Sequence, residues 1–297
     1  MEYLVTSIIT THHREARIVE RALKSVLQQT YKQIEVIIIN DAPTFSGNEQ
    51  IESMLKQYES YNIKYVINDK KSGACASRNI GIKLANGEFI ALLDDDDEWA
   101  STKIEDMLSV ITDDVGLIYS NYDNIKNGKV FSKSRANVYE GHVYEKLLYE
   151  NFIGGCSIPL FRKNVICEAG YFDEDMPSAQ DIDMWLRISR LCKIKYINKI
   201  LVHYYISDIA ITSNVDKRIR GWKLLIDKYT FDLMKHMDAF CIWYYNIIET
   251  EIAFGRFKSA LNNYKNIQKH ISYKKKCKLF IYGLIKYLLV LTGLRKR

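Results

Sequence analysis

Apolar runs alternate with helical periodicities through the first hundred residues. Tyr3 to Ile9 reads as a buried strand. Val19, Ala22, Leu23, Val26 and Leu27 then recur at i, i+3, i+4, i+7 and i+8, which makes one apolar helix face. Ile34 to Ile39 is a β-branched run closed by Asn40 and Asp41, and a polar loop through Gly47 leads to a helix near Gln50–Tyr58. Ile63 to Ile67 predicts a third strand, Ala74 to Ala85 a helix, and Glu88 to Leu93 a fourth strand. Thr102 with Glu105 three residues on predicts a capping box for a helix from about Lys103 to Ile111. Beyond Tyr119 the pattern loosens. Gly154 to Phe161 reads as extended, Asp181 to Leu191 as helical, Ile194 to His203 as a strand, and the chain from about Asp216 as helices.

Nearly continuous apolar strands separated by helices predict a mostly parallel, Rossmann-like α/β sheet covered by helices on both faces, followed by a C-terminal helical region. The expected division is residues 1–212 and 213–297. In such sheets ligands collect beyond the carboxyl ends of the strands. That rule directs attention to Thr10 to Arg14, Asp41, Asp69 to Arg78, and Asp94 to Glu98.

The run Asp94-Asp95-Asp96-Asp97-Glu98 ends an apolar strand. Adjacent carboxylates repel unless something positive joins them. Hard oxygen ligands in this number suit Mg²⁺ or Mn²⁺, which bind through one or two carboxylates plus substrate phosphates. A solvated acidic turn capping the next helix is the competing explanation; the place of the run at a parallel strand's carboxyl end favours the metal.

Composition narrows the classes. A 47% hydrophobic and 26% charged chain of 297 residues is an ordinary folded protein. The six cysteines are scattered without a C-x-x-C pair, which argues against a metal cluster or redox motif and for reduced thiols in the cytoplasm. Met1 and Glu2 lead into the first apolar run with no basic region or cleavage site, so no export signal is expected. The net charge of +6 hides an asymmetry: after Glu251 there are 12 basic residues and no acidic one, whereas positions 1–251 carry 30 basic against 36 acidic residues. Leu279 to Leu294, broken by Lys286 and flanked by Lys274-Lys275-Lys276 and Arg295-Lys296-Arg297, is too short to span a bilayer. It is expected to lie on an anionic membrane surface as a basic amphipathic helix, with a buried C-terminal helix as the alternative. No recognition motif accompanies the charge, so nucleic acid is not an expected partner.

Four segments together resemble the family-2 glycosyltransferases, whose nucleotide-diphospho-sugar domain has the GT-A fold. Ser7-Ile8-Ile9-Thr10-Thr11-His12-His13-Arg14 is similar to the family's opening strand and loop. Val36 to Ile39 with Asn40-Asp41 resembles the strand that delivers an acid to the donor base. Gly73-Ala74-Cys75-Ala76-Ser77-Arg78-Asn79-Ile80-Gly81 is similar to G-x-x-x-A-R-N-x-G, and Gly87 through Trp99 to G-E-[FY]-I-x-x-L-D-x-D-D-x-W. Gly170-Tyr171-Phe172-Asp173-Glu174 and the segment Gln180 to Arg187 look like the family's G-x-F-D-E and [EQ]-D-x-D-x-W-x-R, which extends the resemblance to residues 3–210.

The resemblance implies metal-dependent inversion at an anomeric carbon, with a nucleoside diphosphate leaving. It implies Asp181 as catalytic base and Asp96 as the metal ligand, with Asp94 nearer the ribose or held through water. The fourfold run leaves the register open by one position, so Asp95 stays among the donor residues with Thr11, Arg14, Asp41 and Arg78. Relatives carry a histidine after the strand near residue 200; here His203 either substitutes as a metal ligand or the third ligand is absent. The family's P-T-Y-N becomes Thr10-Thr11-His12-His13 here, and His12 and His13 are loop residues. Gly155, Cys156 and Trp185 are expected on the acceptor side. The implied partners are a nucleotide-sugar donor, with UDP inherited from the family, and a glycan or lipid-linked saccharide acceptor in bacterial surface polysaccharide synthesis. The implied location is cytoplasmic and peripheral on the inner face of the cell membrane. A catalytically inactive scaffold and a sugar nucleotidyltransferase are the alternatives. The latter would need a glycine-rich loop after the first strand, and Thr10 to Arg14 contains no glycine. A receiver domain would have no use for Asp181.

Overall fold

The computed structural model describes residues 3–133, 137–206, 214–272, 281, 283 and 285. The chain divides into two compact units, one of Met1–Glu174 with Asp181–Asp208 and one of Asp175–Gln180 with Ile209–Arg297.

The first unit is built on one sheet. Its first half is β1 (Val5–Thr11), α1 (Ala16–Leu27), β2 (Ile34–Asn40), α2 (Asn48–Leu55), β3 (Ile63–Ile67), α3 (Ala74–Leu84) and β4 (Phe89–Asp94). Its second half is β5 (Glu98–Trp99), α4 (Lys103–Leu108), β6 (Val115–Lys126), β7 (Lys129–Lys133), α5 (Tyr144–Tyr149), β8 (Leu160–Arg162), α6 (Lys163–Glu168), α7 (Gln180–Ile188) and β9 (Lys193–Tyr205). The strand order is β3-β2-β1-β4-β8-β6-β9-β5, with β7 paired to β6. Neighbours are parallel from β3 to β4 and between β6 and β9; β8 runs antiparallel between β4 and β6, and β5 antiparallel on β9. The mostly parallel α/β sheet expected from the apolar runs is therefore present.

Ile8, Ile9, Ile37, Ile38, Ile39, Leu92 and Leu93 are all buried, because helices cover both faces of these strands. On α1 the apolar stripe Val19, Ala22, Leu23 and Val26 is the buried face. The register places Thr10 opposite both Ile39 and Asp94, and Thr11 opposite Asn40. The carboxyl ends of β1, β2 and β4 thus finish side by side.

Local details depart from the sequence expectation where a distant partner competes. The Thr102 hydroxyl donates to Asp106 at 2.8 Å rather than capping its helix, and Glu105 accepts from the Thr30 hydroxyl at 2.6 Å. The capping box does not form. Extended pairing between residues 154 and 161 is confined to the Leu160–Arg162 strand, since Gly154 has φ +90° and the Ile158 N–H closes a turn on the Gly155 carbonyl.

The second unit contains α8 (Val215–Lys228), α9 (Thr230–Lys235), α10 (Met237–Ala253) and α11 (Phe257–Ile267). Asn214 caps α8 by accepting from the Lys217 N–H at 3.0 Å. Cys241, Ile248, Ile252, Ala260, Ile267 and Ile271 form an apolar core. Among the described residues no helix is long and apolar enough to cross a membrane. The basic tail, apart from 281, 283 and 285, lies outside the described residues.

Candidate active site

The acidic run is a β-turn at the end of β4, closed by the Asp97 N–H on the Asp94 carbonyl at 3.0 Å. The turn resolves the four identical residues into two kinds. Asp94 and Asp96 expose 35% and 34% of their side chains, whereas Asp95 and Asp97 are 5% and 3% exposed and point inward. Burial is the largest influence on the inner two and raises both carboxyls, Asp95 to about 6 and Asp97 well above the usual range. Asp96 is also raised, by burial and then by the charge of Asp94. The two outward carboxylates are electrostatic neighbours. Two such hard oxygen donors fit a divalent cation that takes its remaining oxygens from phosphates and water. Among the described residues no group of three or more His, Cys, Asp or Glu side chains converges as a metal cage.

Three arginines surround the turn. Arg14, just past β1, donates to Asp95 at 2.8 Å and to Asp96 at 2.5 Å. Arg21, on α1, donates to the Asp96 carbonyl at 2.6 Å, and its guanidinium lies 3.5 Å from the Tyr205 ring centroid. Arg78, on α3, donates to Asp94 at 2.7 Å from a buried position above Phe172. The Arg78 charge also counts among the influences on Asp181. One buried cation thus couples the β4 turn to the start of α7.

Asp181 sits in the first turn of α7. Burial raises its carboxyl, against the lowering effects of the Ile182 and Asp181 backbone, Arg78 and Asn151. Asn151 donates to it at 3.0 Å. Asp183, two residues on, is fully buried and accepts from Arg187 at 2.7 Å, so it holds the helix rather than facing a ligand.

Asp41, Thr11, Cys156, Trp185 and His203 have distinct surroundings. Asp41 is buried and accepts from Asn68 at 2.8 Å and from the Ser72 and Gly73 N–H groups at 2.7 and 2.8 Å. Its carboxylate therefore shapes the loop that enters α3, with one lone pair left over. Thr11 is buried with its hydroxyl against Asp95. Cys156 is buried beside Arg78, and burial pushes its thiol up. Trp185 is fully buried, and its indole N–H donates to the Gly154 carbonyl at 2.8 Å. It supports the glycine turn from beneath and does not offer a surface to an acceptor, because the apolar stripe of α7 faces the core. His203 turns its Nδ1 to Asp123 at 2.5 Å, in a row where Asp123, His203 and Glu98 occupy neighbouring positions on β6, β9 and β5.

Asn151 and Tyr204 have no role in the sequence reading, and Ser157 enters it only as the end of the Gly154-Gly155-Cys156-Ser157 segment that the resemblance sets at the acceptor border. Ser157 is fully buried, accepts from the Asp94 N–H at 3.1 Å and donates to Asp97 at 2.6 Å. Asn151 braces both Asp181 and Gly154. Tyr204 places its phenol oxygen where a Cβ on Gly155 would lie 2.6 Å away. The only hint of these was the G-G-C-S segment, whose glycines signal a turn without saying what it meets.

Residues 7–168 match Glycosyl transferase family 2. The chain is 30% identical over 230 residues to UDP-Glc:alpha-D-GlcNAc-diphosphoundecaprenol beta-1,3-glucosyltransferase WfgD of Escherichia coli, covering 76% of this chain and 87% of that one. It is 30% identical over 252 residues to an uncharacterized glycosyltransferase of Rickettsia bellii; that match covers 80% of this chain but spans only 35% of the longer relative. The mannosyltransferase PcManGT from Pyrobaculum calidifontis, solved with GDP-Man and Mn²⁺, shares the GT-A fold at TM-score 0.64 and 14% identity, over 98% of this chain and 88% of that one. With the family match over more than half its length and a relative covered nearly end to end, the chain belongs to glycosyl transferase family 2.

Proposed function

We propose that the chain is an inverting glycosyltransferase that moves a sugar from a UDP-sugar to a hydroxyl of a lipid-linked glycan. The observation that carries this reading is the coupling through Arg78 of two unlike carboxylate sites. On one side Asp94 and Asp96 present exposed oxygens suited to a cation and a diphosphate. On the other, Asp181 is a carboxyl whose raised proton affinity suits a general base.

In the proposed step the acceptor hydroxyl gives its proton to Asp181 as its oxygen bonds to the anomeric carbon. The bond from that carbon to the β-phosphate oxygen breaks, UDP leaves with the electron pair, and the anomeric configuration inverts. Mn²⁺ or Mg²⁺ held by Asp96 and Asp94 would offset charge on the leaving diphosphate. Arg78 and Arg14 add fixed positive charge on the same side. Thr11 and Asp41 hold the nucleotide end, and Gly155 with Cys156 borders the acceptor.

The UDP assignment rests on the family, and WfgD carries a UDP-sugar and a diphosphoundecaprenol acceptor in its name. The basic C-terminal stretch supports work at the inner face of a membrane. The test is release of nucleoside diphosphate from a panel of nucleotide sugars, with Mn²⁺, with Mg²⁺ and with chelator, in the presence of undecaprenyl-diphosphate saccharides. Release from a UDP-sugar that chelator abolishes is expected. Absence of both turnover and UDP binding would sink the reading in favour of an inactive scaffold.

A further inference from the structure

Tyr204 is the next-to-last residue of β9, with its side chain on the opposite face from His203 and Tyr205. Its phenol oxygen is buried and has no hydrogen-bond partner among the described residues. A buried hydroxyl left unpaired costs roughly 1–3 kcal/mol, so such groups are rare without a reason. The ring is fixed edge-on against Tyr122, with centroids 4.9 Å apart. Burial is the main influence on the phenol; Asp97, Asp94, Cys156 and Asp181 follow, all acting to keep it protonated. The phenol lies against the Gly155 turn, which Asn151 ties to Asp181 on one side and Ser157 ties to Asp94 and Asp97 on the other, so Tyr204 meets the segment that joins the two carboxylate sites.

Gly155 makes room for it. A Cβ there would lie 2.6 Å from the phenol oxygen but 3.5 Å from the ring carbon that bears it. The turn is anchored on either side, by Trp185 and Asn151 at Gly154 and by Asp97, Asp94 and Trp99 at Ser157. Between these anchors Gly155 is tied through its carbonyl to the Ile158 N–H at 3.2 Å, so a shift of this segment over the phenol has one backbone bond to stretch.

We propose that the Tyr204 hydroxyl is a sugar-binding donor, reached by a small shift of the Gly155 peptide, that hydrogen-bonds to an oxygen of the transferred pyranose. The inference rests on the proposed displacement, because an in-line reaction puts the leaving diphosphate and the attacking hydroxyl on opposite sides of the sugar. A side chain against the turn that joins the Asp94 and Asp181 sites then borders the ring between them. The ligand class is a pyranose bearing a hydroxyl or acetamido oxygen, and the O–H supplies discrimination among donors, since a site built to pair with a polar group rejects analogues that lack it.

The test compares the affinities of UDP and of UDP-glucose, UDP-galactose and UDP-N-acetylglucosamine for the full chain with Mn²⁺. Whichever UDP-sugar the wild type prefers over UDP is carried into the variants. Tyr204→Phe is expected to weaken that UDP-sugar about tenfold and to leave UDP unchanged, with a melting temperature at or above that of the wild type. Gly155→Ala is expected to weaken the same sugar, and Gly155→Ala with Tyr204→Phe to be no worse than Tyr204→Phe alone, because removing the oxygen relieves the contact. Equal UDP-sugar affinity in wild type and Tyr204→Phe would overturn the inference while leaving the transferase reading intact. A wild type that binds no UDP-sugar would overturn both.

Discussion

Two sets of buried carboxylates occupy opposite ends of the same strands. At the amino end Glu35 of β2 accepts from the Thr6 hydroxyl, from the Asn86 backbone at 2.5 Å and side chain at 2.9 Å, and from the Gly87 N–H at 3.2 Å. Burial alone would raise its carboxyl, but these donors outweigh it and hold the group below its usual range. At the carboxyl end Asp95, Asp97 and Asp181 are withdrawn from water and Asp96 is partly so, and each is raised, by lost water first and, within the acidic turn, by the neighbouring carboxylates as well. A carboxylate with a closed set of donors holds the fold. In the proposed reaction Asp96 and Asp181, which take a cation and a proton, are among the carboxylates whose proton affinity is raised. What separates the two is the balance: at Glu35 the donors outweigh burial, whereas in the acidic turn burial and neighbouring carboxylates outweigh the donors.

The comparison breaks first at Asp181. Asp181→Asn keeps the shape and the bond to Asn151 within reach but removes the proton acceptor, so turnover should fall about 10³-fold or more. UDP affinity should change little. Because the ionised carboxyl is disfavoured in the folded state, the variant should melt at or above the wild-type temperature at pH 7.5. A variant that unfolded readily would place Asp181 with Glu35 instead.

Much of this contrast could be read in the sequence, and the part that could not has physical reasons. Strand ends were legible because β-branched runs such as Ile37 to Ile39 stop at polar residues. The acidic turn was found, but its outward and inward members were not. Four identical residues carry no pattern, and side-chain direction past a strand's end is set by the turn closed between Asp97 and Asp94. Trp185 fits the family motif and was expected beside the acceptor, yet the helix stripe that buries Ile182, Leu186 and Ile188 buries it too. Thr102 and Glu105 have the right spacing for a cap, but Asp106 and Thr30 compete successfully for their side chains. Ser157, Asn151 and Tyr204 act through partners 30 to 63 residues away in sequence or through space a glycine leaves open. No local pattern encodes those meetings.

Lys103 sharpens the comparison with a charge of the other sign. It is fully buried on α4, its amine 3.5 Å from the Met107 sulfur and 4.4 Å from the Trp99 ring centroid. Burial lowers it to about 7. The folded value lies below the unfolded one, so the folded state binds fewer protons between pH 7 and the ordinary lysine range, and stability rises with pH across that window. Below pH 7 the full penalty of burying the charge remains. Lys103→Met should therefore stabilise the protein by about 3 kcal/mol at pH 6, with the gain shrinking toward pH 10, as denaturant titrations at the two pH values would read. Donor turnover should be unaffected at temperatures well below melting. If so, a poorly satisfied charge marks a functional site only where solvent and substrate can reach it, as at Asp96 and not at Lys103.

Glu35 gives the smallest and most selective effect. Its folded value lies below the unfolded one, so its contribution is complete above the ordinary glutamate range and is lost as pH falls through the folded value. Glu35→Gln replaces one acceptor oxygen with an N–H₂ that faces donors from Thr6, Asn86 and Gly87. It should cost about 2 kcal/mol at neutral pH and flatten the acid limb of the stability profile below pH 4.5, where the wild type loses what the variant never had. The turn at Asp94 is held by Ser157 and the arginines rather than by Glu35, so kcat and the UDP-sugar KM should stay within twofold at 25 °C. Equal loss of stability and turnover would mean that the two ends of the strands are coupled, and that hydrogen-bond supply at one end sets the geometry of the other.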